Sequence, residues 1–317
     1  MSNETDKTAI DLKNLKSGGF IKEKGKDLFT VRLRVPGGRL PVSRLKKIAE
    51  VAGEYGGEFV HLSVRQSIEL INVHFKNFDA VVSALGEGEQ KVASCGARLR
   101  VPTACGGCEY NPNGLVDTQQ AATLVDRELF GSETGHHKFK VGFAGCPFDC
   151  PKSATNDVGF QGAIWPELNE EECMVCGLCV KSCTEGAIEK DAEGQLVFIP
   201  ERCVYCGDCV KVCPSEAWKV VRKGYTVRIG GKWGRHPLVG TLYATFLPEN
   251  QVVPFIAEVL AWYKEKADGM GRIRIGDVIR KVGTEPLLER LRGKFPDSVV
   301  ESTIPPQVVL TQIGNGP

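Results

Sequence analysis

"GCPFDCPKSATNDVGFQG", residues 145–162, places Cys146 and Cys150 in a C-x3-C spacing between prolines, in a chain that carries 13 cysteines. All of them fall between Cys95 and Cys213. Shortly downstream, "CMVCGLCVKSC" (173–183) has the look of an iron–sulfur ligand run. If Cys146 and Cys150 belong to that run, the chain reads as an electron carrier. If they serve a separate metal centre, it reads as an enzyme.

The downstream cysteines are self-sufficient. Cys173, Cys176, Cys179 and Cys183 follow C-x2-C-x2-C-x3-C, and Cys203, Cys206, Cys209 and Cys213 repeat it. This is the spacing of two-cluster bacterial ferredoxins, in which the fourth cysteine of each run serves the other cluster. One [4Fe–4S] cluster is therefore assigned to Cys173, Cys176, Cys179 and Cys213, the other to Cys203, Cys206, Cys209 and Cys183. Glycines in "CGLC" and "CGDC" allow close backbone approach and leave amides free to bond cluster sulfur. The first run ends in Thr184 where the second has proline, which removes a rigid turn but no ligand. A zinc ribbon would use four cysteines in two pairs, not eight in two quartets.

The rest of the composition narrows the class. Apolar residues make up 42% and charged residues 25% of 317, ordinary for a globular protein. The net charge of +1 gives no reason to expect nucleic acid or a membrane surface as partner. No apolar run approaches a bilayer span. The start, "MSNETDKTAIDLKNLKSGGF", is polar and is not a secretory signal. A cytoplasmic location is expected, and tight C-x-x-C runs there read as metal ligands and not as disulfides.

Periodicity predicts an α+β chain. Residues 1–25 read as a polar arm. "LFTVRLRV" (28–35), "EFVHLSV" (58–64) and "SIELINV" (67–73) alternate like strands; 41–57 and 78–88 have helical spacing. The β-α-β-β-α order over 26–87 predicts a small α/β sandwich. Residues 88–166 and 223–317 form a second domain, interrupted at 167–222 by the cysteine-dense unit. Helices are expected at 118–131, around 251–267 and at 275–292, with a buried strand in "KFKVGFAG" (138–145).

Removing the eight ferredoxin-type ligands leaves Cys95, Cys105, Cys108, Cys146 and Cys150. Here the chain resembles the siroheme-dependent sulfite and nitrite reductases. The stretch at 145–162 is similar to the second half of their ligand motif. "VRLRVPGG" (31–38), "HLSVRQSIEL" (61–70), "KFK" (138–140) and "GGKWGRHP" (230–237) follow in that family's order. Within the family the chain most resembles the catalytic polypeptide of anaerobic sulfite reductase and the dissimilatory-type sulfite reductase polypeptides, which carry a ferredoxin domain at this point.

The resemblance implies a ferredoxin-like N-terminal half-domain, a siroheme/[4Fe–4S] reductase domain and an inserted two-cluster ferredoxin domain, with three [4Fe–4S] clusters in all. It implies that Cys150 bridges siroheme iron to a third cube held also by Cys146. The family completes that cube from C-x5-C, whereas "ACGGC" offers Cys105 and Cys108, with Cys95 as an alternative to one of them. It assigns substrate binding and proton supply to Arg32, Arg65, Lys138 and Lys140. Arg34 is the alternative to Arg32, on the expectation that only one of the two faces the haem. Candidate donors to the siroheme carboxylates are Arg98, Arg100, Lys232, Arg235 and Asn156. His136, His137 and His236 are read as incidental.

The implied activity is six-electron reduction of sulfite to sulfide, with nitrite reduction or a non-catalytic electron-transfer role as alternatives. With no convincing dinucleotide motif, a ferredoxin or flavoprotein partner is expected to donate electrons. A single copy of the core unit implies a homodimer or hetero-oligomer.

Overall fold

Strands β1 (Phe20–Lys22), β2 (Leu28–Arg32), β3 (Val60–Leu62) and β4 (Ile68–His74) form an antiparallel sheet, in the order β1-β2-β4-β3, in the computed structural model, which describes residues 11–304. Helices Val42–Tyr55 and Phe78–Glu87 cover one face. Their Ile48, Val51, Ala52, Val81 and Leu85 pack on Val31, Leu33, Ile68, Leu70 and Val73. This is the sandwich that the alternating and helical spacings predict.

The polar arm needs correction over its described part. Residues 11–25 hold a capped helical turn, Leu12–Ser17, and β1, which pairs with β2 from Phe20–Val31 to Lys22–Phe29. The polar composition concealed an edge strand, where one face and one edge are solvated. Residues 1–10 lie outside the described part.

The second sheet carries the larger core. It comprises β5 (Thr103–Ala104), β6 (Val141–Ala144) and β7 (Val158–Leu168), with a separate hairpin of β8 (Ile188–Lys190) and β9 (Leu196–Phe198) in between, then β10 (Trp218–Ile229), β11 (Thr241–Leu247) and β12 (Val299–Ile304). Its order is β12-β11-β10-β7-β6-β5, parallel among β5, β6 and β7 and antiparallel elsewhere. Helices Thr118–Leu129 and Val252–Lys266 contribute Val125, Phe255, Val259 and Trp262 to its core. The single helix expected over 275–292 is two, Ile275–Val282 and Glu285–Arg292, divided at Gly283 with φ 87°. Glycine there accepts a left-handed backbone that stops the first helix. No described helix is long and apolar enough to cross a membrane.

Strands β7 and β10 make a long ribbon, paired from Val158–Ile229 to Leu168–Trp218. Everything between, residues 169–217, is carried at the ribbon's far end. There, helices Leu178–Ser182 and Asp208–Lys211 each follow a glycine in the left-handed region, Gly177 and Gly207. A small core of Cys179, Ile188, Cys209 and Trp218 sits beneath them. The strand character of β7 was not foreseen, because Gly159, Gly162 and Pro166 give it the composition of a loop.

Candidate active site

Cys105 and Cys146 come to facing turns because β5 and β6 are parallel neighbours. Pairing of Ala104 with Phe143 sets Cys105, just after β5, beside the Gly145–Cys146 turn after β6. The Gly145 N–H donates to Cys105 Sγ at 3.0 Å, and the Gly107 N–H at 3.4 Å. A Cβ on Gly145 would stand 2.8 Å from Gly107 Cα, so the close approach requires glycine. Burial raises the Cys146 pKa, and negative charge on nearby Cys105 and Cys150 adds to the rise. Cys108 follows on a one-turn helix, Gly107–Glu109, and is exposed like Cys150. Among the described residues no three Cys, His, Asp or Glu side chains converge as a single ion requires. A cube takes its thiolates at separate iron corners, so four cysteines on two facing turns remain a suitable donor set.

The loop that returns from Cys146 to β7 is shaped by Asp149. With φ 47°, its carboxylate accepts from the Ser153 N–H (2.6 Å) and the Ala154 N–H (3.0 Å). Cys150 is thereby presented on a firm loop. Cys95 stands elsewhere: it is buried, and its Sγ accepts from Arg32 Nη1 (3.3 Å) and Arg100 Nη1 (3.1 Å).

The other end of the same strands gathers cations. Leu99 and Phe139 pair in parallel and are both fully buried. Alternation therefore turns Arg98, Arg100, Lys138 and Lys140 to the opposite face. Arg65 reaches in from the turn after β3, donating to Val101 O (2.7 Å) and Asn156 Oδ1 (3.3 Å). Arg274, not foreseen from the sequence, enters from the start of helix Ile275–Val282. It grips Asp157 through Nε (2.8 Å) and Nη2 (2.6 Å). Asp157 Oδ2 also accepts the Lys140 backbone N–H at 2.7 Å.

This crowding costs the cations their ordinary pKa values. Burial, with Arg100 nearby, lowers Arg65 to about 10. Burial, then Arg65, Lys138 and Arg274, push Lys140 down to about 7. Arg100 and Lys138 are lowered by burial and by Arg274. Burial takes His137 to about 4, so it stays neutral at physiological pH. Neither lysine ammonium has a hydrogen-bond acceptor among the described residues, and Arg100 Nε and Ser153 Oγ are buried without one. A polycarboxylate ligand would supply both the counter-charge and the missing acceptors, so the residues present fit siroheme.

The remaining candidates divide. Residues i and i+2 share a strand face, so Arg32 and Arg34 project from the same side, between buried Val31, Leu33 and Val35. Their partners separate them. Arg34 is clamped on Asp126 (2.9 and 3.1 Å) and stacked 3.7 Å over Phe130, whereas Arg32 joins Glu69 (2.6 Å) and Cys95. Arg98 turns to the surface and pairs with Glu133. Lys232 is tied to Asp277 at 2.7 Å, and Arg235 and His236 are exposed on the following loop.

The Asp157–Arg274 pair is almost fully enclosed, with side-chain exposures of 1% and 9%. Burial raises the Asp157 pKa and the guanidinium opposes that rise. Asp157→Ala is expected to destabilise the metal-free chain by about 3–5 kcal/mol, since Arg274 is left charged and unpaired. Urea unfolding measures this, and a companion Asp157→Ala/Arg274→Met variant should recover most of the loss.

In the distal unit the two quartets separate into two cavities. One is lined by Cys183, Cys203, Cys206 and Cys209. The other is lined by Cys173, Cys176, Cys179 and Cys213. Burial pushes Cys206 up to about 11 and Cys209 to about 12, so binding of metal must displace protons there.

Comparison with known proteins matches this geometry at family level. Residues 95–298 match the nitrite and sulphite reductase 4Fe-4S domain, and residues 21–88 the nitrite/sulfite reductase ferredoxin-like half domain. A coenzyme F420-dependent sulfite reductase of Methanocaldococcus jannaschii is 32% identical over 86% of this chain, which spans 44% of that relative's length. A polypeptide of the anaerobic sulfite reductase of Salmonella typhimurium is 30% identical, covering 83% of each chain. The crystal structure of dissimilatory sulfite reductase I superposes with a TM-score of 0.68 at 21% identity, over 83% of this chain and 68% of the other.

Proposed function

This chain belongs to the nitrite and sulphite reductase family, and on that premise we propose that it is a sulfite reductase, carrying out the six-electron reduction of sulfite to sulfide. The observation that carries this reading is the crowded cationic face of Arg65, Arg100, Lys138, Lys140 and Arg274, on the strands that also carry the Cys105–Cys146 turns. A site built only for electron transfer has no use for desolvated cations open to a ligand. Sulfite is favoured over nitrite because relatives at 30% identity or more bear that name, whereas nitrite reductases that match over 76% of the chain are 22–24% identical.

Siroheme and a [4Fe–4S] cube, when bound, would supply a redox-active iron for the anion and the electrons to reduce it, and Cys150 would be a thiolate ligand there. Cys146, Cys105 and Cys108 would complete that cube. Arg100 and Arg274 would neutralise carboxylates, while Arg32 and Arg65 hold the sulfite dianion by charge-assisted hydrogen bonds. Lys138 and Lys140 flank buried Phe139 and share one face, so both would present protons to oxygens leaving sulfur. The two cavities of the distal unit would hold two further [4Fe–4S] clusters in the crossed pattern of a ferredoxin domain.

We further propose a cytoplasmic enzyme that works as a homodimer or in a hetero-oligomer with an electron-donating partner. Edge strand β3 and its flanks expose Phe59, Leu62 and Val64, an apolar edge of the kind that pairs with another chain.

Anaerobic purification followed by acid–acetone extraction tests the central reading. An isobacteriochlorin pigment and sulfide formation from sulfite with reduced viologen are expected. Absence of the pigment sinks the reading, and turnover of nitrite alone would favour the nitrite alternative.

A further inference from the structure

Cys95 stands apart from the proposed cube, yet its thiol is neither idle nor isolated. It opens the stretch that matches the 4Fe-4S domain, shortly past the end of the half-domain match. The backbone around it is held without help from the side chain. The Ala93 N–H donates to Arg32 O at 2.8 Å, and the Cys95 N–H donates to Ser17 O at 3.1 Å. The buried sulfur accepts from one guanidinium of each domain, Arg32 Nη1 at 3.3 Å and Arg100 Nη1 at 3.1 Å. Among the described residues nothing else holds Arg100 as closely. Its other acceptors, Ser94 O at 3.5 Å and Gly96 O at 3.4 Å, are chain neighbours of the thiol and lie beyond the usual range. Its Nε is buried without an acceptor.

Arg32 is gripped from two sides. Its Nε donates to Glu69 Oε1 at 2.6 Å, and Glu69 Oε2 is itself tied to His61 Nδ1 at 2.7 Å. Nη2 also faces Glu69, and one N–H of Nη1 is engaged by the sulfur, so two of the five N–H groups remain for an anion. Two like charges brought together away from water repel, and Arg100 registers this. Burial lowers its pKa first, Cys95 opposes the fall and Arg32 deepens it. A carboxylate at position 95 would hold both arginines but cancel much of their charge. A thiol sulfur is a weak, polarisable acceptor with room for two donors, so it locates the guanidiniums and leaves their charge to a ligand.

We propose that Cys95 is a positioning residue at the joint of the two domains: its sulfur fixes the spacing of Arg32 and Arg100, so that Arg32 meets the sulfite oxygens while Arg100 is kept for the siroheme carboxylates. This deepens the sulfite reductase reading and rests on it. Cys95 is enclosed and acts through the arginines alone. Without the sulfur, Arg32 rests on Glu69 only, and the two guanidiniums separate under their own repulsion. The loss falls on anion binding and not on proton delivery, because the side-chain bonds of Cys95 go to Arg32 and Arg100 and not to Lys138 or Lys140.

Holoenzyme variants test this, with all constants taken per extracted pigment. Calorimetry of sulfite binding to the oxidised holoenzyme gives a dissociation constant without turnover, and viologen-driven reduction gives KM and kcat. Cys95→Ala should raise the dissociation constant and KM about tenfold, the effect of one lost hydrogen bond to a charged group. It should lower kcat by less than about threefold, as loss of uniform binding does. The backbone bonds to Ser17 and Arg32 do not involve the thiol, so the fold is kept. Cys95→Ser retains an uncharged acceptor and should stay within about threefold of the parent in every constant. Arg32→Lys removes the guanidinium fork, and adding Cys95→Ala to it should weaken binding little further, because both act through one contact. Parent-like constants in Cys95→Ala, serine as impaired as alanine, or losses that multiply in the double variant would each overturn the proposal. A parent that binds sulfite without reducing it counts against the sulfite reductase reading instead, and Cys95 is then judged on the dissociation constant alone.

Discussion

Cys150→Ser is expected to bring sulfite reduction to background while leaving the chain folded and its distal clusters in place. The side chain is exposed and makes no structural hydrogen bond among the described residues, so its removal alters no packing. The loop keeps its form because Asp149 accepts from the Ser153 and Ala154 amides independently of the thiol. Serine oxygen is a poor ligand for iron that is otherwise thiolate-bound, so the proposed link between siroheme and its cube is lost. Thermal unfolding of the metal-free variant should match the parent within a degree or two. The extracted pigment should fall sharply, while eight distal cysteines still give iron and labile sulfide. Retention of turnover within tenfold of the parent would show that Cys150 is not the bridging residue.

Lys140→Met is the second large expected effect, a fall in kcat of about 10²–10³-fold from loss of a positioned proton donor. Its sign with pH follows from the crowding. Burial and the charges of Arg65, Lys138 and Arg274 hold the ammonium at about 7 in the ligand-free protein, against an ordinary 10.5. A donor must be protonated, so the rate should fall as pH rises through the folded-state value. Bound carboxylates raise that value, so in the loaded enzyme the limb should stand on the alkaline side of 7, and Lys140→Met should abolish it. Stability gives a separate readout. Between about 7 and 10.5 the unfolded chain holds a proton that the folded chain has released, so folding gains stability as pH rises there. Below about 7 the full penalty of a charged, desolvated Lys140 remains. Metal-free Lys140→Met should therefore melt higher than the parent at pH 6, by about 2–4 °C. A lower melting temperature would mean that Lys140 is a structural residue and not a strained functional one.

How far the site could be read from the chain depended on how local its determinants were. The distal quartets follow from spacing alone, because three thiolates on one tight loop are brought together by covalent connection. The half-domain followed likewise from period-2 and period-3.6 patterns, each a local property. Arg274 could not be found that way. It lies 117 residues beyond Asp157, and a lone arginine ahead of a short helix carries no signal. The strands β1 and β7 were hidden for a related reason: edge position and glycine content give them the composition of loops.

The sequence by itself determined which thirteen cysteine thiols are available and that eight of them fall in two runs of the same C-x2-C-x2-C-x3-C spacing, apart from Cys146 and Cys150. It also placed Lys138 and Lys140 on one face by alternation. Only the tertiary structure decided the rest. It seated Cys105 against Gly145 through the pairing of β5 and β6, and it directed Arg34 to Asp126 while leaving Arg32 near the site. It turned Arg98 outward, brought Arg274 inward, and set one quartet against the body and the other toward solvent. The physical reason is range. Ligand spacing is held by a few covalent bonds, whereas a charge's partner and its exposure depend on which distant surface the fold packs against it.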